Sequence, residues 1–309
     1  MSPRAVDVIL FDIDNVLIDT RSSYLAAIQK TVEIYLAKPG ILTPKEVDDF
    51  KLLGGFNDDW DCSYGILTFL QTALQGKPVR FGDHRHYRLS IAELRNLISE
   101  RPLGVEGLLK HLGAMYERVE TPSYKKIARI FQEVYLGTRL AKKPLRHWKK
   151  PGLIEKEKLI FPKSILEKIR ARGIRLGIVT GRDRFEAAYA LKRFGILKLF
   201  DGLITIDEVK REEKKKKTFL RKPNPWPILE AAKRLQKGGN RLNFLYVGDL
   251  PDDILTAKRA KEKIRIKSVA FSEFTQDPKA TFEEMKKVGP DYFLKNPKDL
   301  IKIAGVSGN

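Results

Sequence analysis

The sequence predicts an α/β protein in which a doubly wound parallel sheet is interrupted, just after its first strand, by an all-helical insertion. Three observations predict it. Short apolar runs rich in Val and Ile alternate with amphipathic helical stretches through the second half of the chain. A run of the same kind opens the chain. Between them, from about residue 21 to residue 150, no convincing strand signal occurs.

The strand signals are Val6–Phe11, Arg175–Val179, Gly202–Ile206, Phe244–Val247, Lys267–Phe271 and Asp291–Leu294. Helical spacing of apolar residues marks Ser164–Arg172, Arg184–Phe194, Pro225–Gln236 and Asp252–Glu262. Alternation of this kind covers a parallel sheet on both faces. Within the insertion, Thr43-Pro44-Lys45-Glu46 opens a helix with a capping residue, a proline at the first helical position and a glutamate three after the cap. Ser90-Ile91-Ala92-Glu93 is a second capping box, and Thr121-Pro122 opens a helix running to about Leu136. Tyr24, Tyr35, Phe131 and Tyr135 sit at helical spacings and are expected in that core. Pro151-Gly152 is the expected return hinge, which gives an α/β domain over 1–20 and 151–309 and a helical domain over 21–150. The charged run Glu208–Lys217 is expected to be a solvated loop or helix end.

Composition narrows the function classes. At 309 residues and 42% hydrophobic the chain can bury a proper core. No stretch approaches the roughly 18 consecutive apolar residues of a membrane span, and the opening residues MSPRAVD lack a signal-peptide core. The single cysteine, Cys62, excludes an internal disulfide and a cysteine-rich zinc site, and a reducing cytoplasm is expected. A formal charge of +20 suits anionic ligands or nucleic acid, but it equally suits a heat-adapted proteome. The basic residues are dispersed among acids, which favours the second reading and argues against nucleic acid as a partner.

The first strand ends in Asp12-Ile13-Asp14, with Asp19 close behind. Extended backbone points side chains i and i+2 the same way, and open parallel sheets bind ligands beyond the carboxyl ends of their strands. Two other strands end in Thr180-Gly181-Arg182 and in Gly248-Asp249-Leu250-Pro251-Asp252-Asp253. Asp12, Asp14, Asp249 and Asp253 are therefore expected to share one small volume. Two carboxylates roughly 4 Å apart repel by about 4 kcal/mol at an effective dielectric near 20. They must take up protons or hold a cation, and an all-oxygen set with open positions suits Mg²⁺ and an anionic, phosphorylated substrate. Lys222, in Arg221-Lys222-Pro223-Asn224-Pro225-Trp226-Pro227, is expected at a helix start beside these acids.

In Asp12-Ile13-Asp14, Thr180, Lys222-Pro223 and Gly248–Asp253, taken in that order, the chain resembles the haloacid dehalogenase superfamily of aspartate-nucleophile phosphohydrolases. The likeness covers the α/β half. The inserted helices resemble the mobile cap of the subgroup that includes phosphoglycolate phosphatase and the phosphosugar mutases. The resemblance implies a Rossmann-like core and Mg²⁺-dependent hydrolysis of a small phosphorylated metabolite. It makes Asp12 the nucleophile and Asp14 the acid and base. Thr180 and the Gly181 amide would be phosphate holders and Lys222 the balancing charge. Asp12, the Asp14 carbonyl, Asp249 and Asp253 would be the metal site. Asn15 stands where the family commonly has glycine, Val16 replaces a frequent threonine, and Leu250-Pro251 replaces a small hydroxyl residue. Asp14 favours phosphate esters over halides, since chloride leaves without a proton.

Two readings stand beside hydrolysis: a phosphomutase using the same nucleophile, and a non-catalytic nucleic-acid-binding protein on the same scaffold. Asp19-Thr20 is expected to cap the first inserted helix. Gly54–Trp60 is either a specificity loop, with Asn57 bonding a substrate hydroxyl and Trp60 walling the pocket, or an ordinary helix break with Asp58 or Asp59 as cap. His84 and His86 are expected in a surface loop.

Overall fold

A computed structural model describes residues 6–51, 53–56, 58–75, 90–91, 93–94, 104–236 and 242–305. The chain forms two compact units, 1–20 with 158–309, and 21–157. Among the described residues no helix is long and apolar enough to cross a membrane.

The first unit is built on a six-stranded, all-parallel sheet. Its strands are β1 (Val8–Phe11), β4 (Arg175–Val179), β5 (Gly202–Ile204), β6 (Asn243–Gly248), β7 (Arg265–Ala270) and β8 (Tyr292–Phe293), in the order β5-β4-β1-β6-β7-β8. Its helices are α6 (Lys163–Ala171), α7 (Arg184–Arg193), α8 (Ile206–Lys216), α9 (Trp226–Leu235), α10 (Pro251–Ala260), α11 (Pro278–Val288) and α12 (Leu300–Ile303). β1 shows why the sheet is covered twice. Ile9 and Phe11 enter one core with Ile165, Ile169 and Leu191 of α6 and α7. Val8 and Leu10 enter the other with Ile228, Leu235 and Ala257 of α9 and α10. A strand with alternate residues in opposite cores must be apolar throughout, as this one is. The expected doubly wound architecture is therefore the observed one, with β1 central between β4 and β6.

Three elements differ from expectation. A two-stranded antiparallel ribbon, β2 (Ile18–Asp19) against β3 (Lys158–Leu159), stands where the chain leaves and re-enters this unit. Asp19 belongs to that ribbon and does not cap the first inserted helix. Thr20 instead donates to Asn15 Oδ1 at 2.9 Å. The charged run at 208–217 is almost wholly the helix α8. Its N-terminus is closed by a box in which Thr205 and Glu208 bond reciprocally, and Glu212 pairs with Lys215 and Lys216 one turn on.

The second unit holds α1 (Tyr24–Leu36), α2 (Pro44–Lys51), α3 (Asp59–Gln75), α4 (Gly104–Met115) and α5 (Tyr124–Leu140). The Thr43–Glu46 and Ser90–Glu93 boxes both form. α5 starts two residues later than expected, because the Ser123 hydroxyl accepts from Lys126 N and makes Ser123 the cap. Tyr24 stacks on Tyr135 at 4.8 Å, and Phe131 lies 5.9 Å from the same ring. Pro151-Gly152 lies inside this unit. A Cβ on Gly137, whose φ is +61°, would fall 2.0 Å from Gly152 N, so the two backbones cross at contact distance. Glycine at both positions permits that crossing.

Glu133 of α5 holds the following loop. Its carboxylate accepts from the main-chain N–H groups of Arg146, His147 and Trp148 and from Arg129 Nε. Burial pushes the carboxyl up, but these donors outweigh it and hold it at about 2. A carboxyl held low contributes stability above its unfolded value and loses it as the pH falls through its folded value. Glu133→Gln is expected to cost about 2 kcal/mol at neutral pH. Urea unfolding followed between pH 7 and 2 checks this: variant and wild type converge as the pH drops from about 4.5 toward 2.

Candidate active site

The carboxyl ends of β1, β4 and β6 carry the site, and each supplies a different kind of group. β1 delivers Asp12, whose main-chain N–H donates to Val247 O at 2.9 Å and so ties the residue to β6. β6 ends at Gly248. A Cβ there would fall 2.2 Å from Asp253 Cβ, so glycine lets Asp253 fold back over the strand end. Asp253 then accepts from Asp249 N at 3.2 Å, Leu250 N at 3.1 Å and the Tyr246 hydroxyl at 2.9 Å. β4 delivers Thr180, which is buried, and Gly181, whose outward side is open for 4 Å.

Asp12, Asp249 and Asp253 are all buried, and they each present an oxygen within 4.8 Å of the others. Lys222 Nζ lies 2.7 Å from Asp253 Oδ1 and 3.2 Å from Asp12 Oδ1, and 5.4 Å above the Tyr246 ring. Its angle to Asp12 makes no hydrogen bond, and Asp12 Oδ1 is buried without one. Lys222 does not open a helix: it sits in the turn before α9. That turn is held by Asn224 Nδ2 donating to Phe219 O and by Arg259 Nη1 donating to Pro223 O.

The electrostatics follow from burial. Desolvation pushes the Asp12 carboxyl up to about 7, with Asp253 and Asp14 adding to the rise and Lys222 opposing it. Asp249 is raised well above the carboxylate range by burial, then by Asp253 and Asp12. Burial would lower Lys222, yet Asp12 and Asp253 outweigh it and hold the ammonium well above its ordinary value. One ammonium thus stands against three crowded carboxylates. The set is short of positive charge, and an all-oxygen donor group of this kind fits a hard divalent cation.

A sequence model of the haloacid dehalogenase-like hydrolases matches residues 6–261. The chain belongs to this family. Pyrophosphatase PpaX of Oceanobacillus iheyensis is 33% identical over 142 residues, which are 46% of this chain and 58% of that protein. The chain spans between 56% and 64% of the length of these pyrophosphatases. An imidazoleglycerol-phosphate dehydratase of Phytophthora nicotianae aligns with 94% of the chain at 24% identity, through half of its own length. Among solved structures, phosphatase Tt82 from Thermococcus thioreducens superposes with a TM-score of 0.63 at 24% identity, over 91% of this chain and 98% of that one.

This family member departs from its sequence-based picture at Asp14. The strand ends at Phe11, so the alternation that would have aimed Asp14 beside Asp12 has already lapsed. Asp14 turns instead to Arg182, whose Nε donates to Asp14 Oδ1 at 2.7 Å. Asp12, Asp249 and Asp253 present oxygens within 4.8 Å of one another, and Asp14 stands at the edge of that group, near enough to raise both Asp12 and Asp249. Asn15, with φ +53°, adopts the left-handed conformation that glycine commonly supplies there and adds a side chain. Its Nδ2 donates to Asp249 Oδ2 at 3.2 Å. Two residues of weight have no clear sequence signal: Tyr246, because a tyrosine in a strand reads as core, and Arg182, which as a contact for a second anionic group of the substrate is discounted because basic residues are common in this chain. In the helical unit Asp58 caps α3 by accepting from Trp60 N, and Trp60 packs edge-on against Tyr124 at 6.4 Å. Asn57, His84 and His86 lie outside the described residues.

Proposed function

We propose that the chain is a Mg²⁺-dependent phosphatase hydrolysing a small phosphate monoester through an aspartyl-phosphate on Asp12. The observation that carries this reading is the buried meeting of Asp12, Asp249, Asp253 and Lys222, with Asp12 Oδ1 left unsatisfied. Asp253 has both oxygens engaged by protein donors. Asp12, Asp249 and the Asp14 carbonyl would therefore hold the cation, with Asp253 anchoring Lys222 and the turn. Bound there, Mg²⁺ would neutralise charge on the nucleophile and on phosphoryl oxygens.

The chain's own groups account for the chemistry. Asp12 attacks phosphorus, the phosphorus–ester-oxygen bond breaks, and a proton from Asp14 goes to the departing oxygen. Water then gives a proton to Asp14 as its oxygen attacks phosphorus, and the bond to Asp12 breaks, releasing phosphate. Thr180 and the Gly181 amide hold phosphoryl oxygens, and Lys222 offsets charge that builds on them. Asn57 and Trp60 are the candidates for substrate choice.

The test is phosphate release from a panel of phosphorylated metabolites, with and without Mg²⁺. The relatives' name puts inorganic diphosphate on that panel. Chelation with EDTA is expected to lower turnover at least about 100-fold, and added Mg²⁺ to restore it. Unchanged turnover in EDTA would overturn the metal assignment.

A further inference from the structure

We infer that Arg182 is a positioning residue for the acid and base. It holds Asp14 by Oδ1, so that Oδ2 is the atom that gives and takes the proton. The inference rests on the role assigned to Asp14 above. Arg182 places two nitrogens on one oxygen: Nε at 2.7 Å and Nη2 at 2.6 Å from Asp14 Oδ1. Its side chain is wholly buried, whereas that of Asp14 is 27% exposed. The pair thus has a closed side, filled by the guanidinium, and an open side from which a leaving group can approach. Both guanidinium donors occupy Oδ1, in the carboxylate and in the neutral acid alike, which leaves Oδ2 to carry the transferable proton.

The backbone of Arg182 is fixed as well. Its N–H donates to Thr180 Oγ1 at 3.2 Å, and its carbonyl accepts from Ile206 N at 3.0 Å, at the start of α8. Asp183, the next residue, caps α7 by accepting from Glu186 N at 2.7 Å. The arginine therefore leaves a turn clamped from three sides. Asp14 lies beyond the end of β1 in a turn whose backbone is also tied, Ile13 O accepting from Leu17 N and Ile18 N and Asn15 N donating to Ile18 O, so what remains to be fixed is the direction of its side chain. A partly exposed carboxyl on such a turn can still rotate, and the Arg182 guanidinium fixes it in one direction within reach of one atom of the substrate.

The test compares two substrates through kcat/KM, which reports transfer of the phosphoryl group to Asp12. p-Nitrophenyl phosphate has a leaving group that departs unprotonated, while glycerol 2-phosphate needs a proton. General acid catalysis contributes about 10²–10⁴-fold. Arg182→Met is therefore expected to lower the glycerol 2-phosphate value about 100-fold and the p-nitrophenyl phosphate value less than about 5-fold. Arg182→Lys, with the charge and one donor retained, is expected to recover about tenfold. Asp14→Asn should show the same substrate bias, and adding Arg182→Met to it should cost no more than about twofold further, because the two residues act as a unit. Equal losses on both substrates in Arg182→Met, with the bias kept in Asp14→Asn, would overturn the inference alone. Absence of bias in Asp14→Asn would remove the role of Asp14 and the inference with it. If Arg182→Met does not fold, Arg182→Lys carries the test: a bias of about tenfold is expected, and none refutes it.

Discussion

Asp12→Asn is expected to abolish phosphate release, by at least about 10⁴-fold, in a protein that remains folded. The amide has nearly the carboxylate's shape, so the packing at the end of β1 is kept. Its charge is gone, and with it the attacking oxygen. Stability should not fall. Asp12 Oδ1 makes no hydrogen bond, and burial with the neighbouring Asp253 and Asp14 opposes its charge by more than Lys222 favours it. The variant should therefore unfold in urea within about 1 kcal/mol of wild type. Substrate labelled with radioactive phosphorus separates this outcome from simple damage. Wild type quenched in acid retains covalent label, and Asp12→Asn retains none. Activity within tenfold of wild type would show that Asp12 is not the nucleophile.

Lys222→Met is expected to cause the largest loss of stability, about 3–5 kcal/mol in EDTA, because it strips the cation from a buried carboxylate group. The methylene stem is preserved, so the loss measures the missing ammonium. Asp253 loses a 2.7 Å partner and Asp12 a 3.2 Å one, and both stay buried. Mg²⁺ at millimolar concentration should return part of that stability, since a divalent cation relieves the same repulsion. Turnover should remain at least about 100-fold down even then, as the phosphoryl oxygens have lost one of their balancing charges. Urea midpoints with EDTA and with Mg²⁺ provide the check. A variant indifferent to Mg²⁺ would mean that Asp12 and Asp249 do not share an ion.

The central strands β1, β4 and β6 were legible because each is a nearly continuous apolar run, which a doubly covered sheet demands, whereas β7 exposes Arg265 and Lys267 and signals itself only through its buried end. Helix starts with reciprocal caps, at Thr43 and Ser90, were legible for the same local reason. The ribbon of β2 and β3 was not. Two residues on each side carry no period, and the partners lie far apart in the chain. α8 was hidden by its own charge, since its helical order comes from a cap and from Glu–Lys pairs rather than from an apolar stripe. In the site, residue identities could be read from the strand ends, but side-chain direction could not. The expectation that Asp14 would join Asp12 assumed extended backbone beyond Phe11. Asp14 instead has its Oδ1 bonded to Arg182, 168 positions along the chain. The role of Asp253 was similarly unreadable, because it depends on Gly248 leaving room for the carboxyl to bend back.

The central place of β1 bears on how the molecule is made. Its first partner in the sheet, Arg175 opposite Val8, lies about 170 residues downstream, beyond the entire helical unit. At ribosomal speeds of about 5–20 residues per second, the opening strand waits roughly 10–30 seconds with both edges unpaired. Val8–Phe11, apolar at every position, is thus made long before the strand that pairs with it, which makes it a natural target for a chaperone during synthesis.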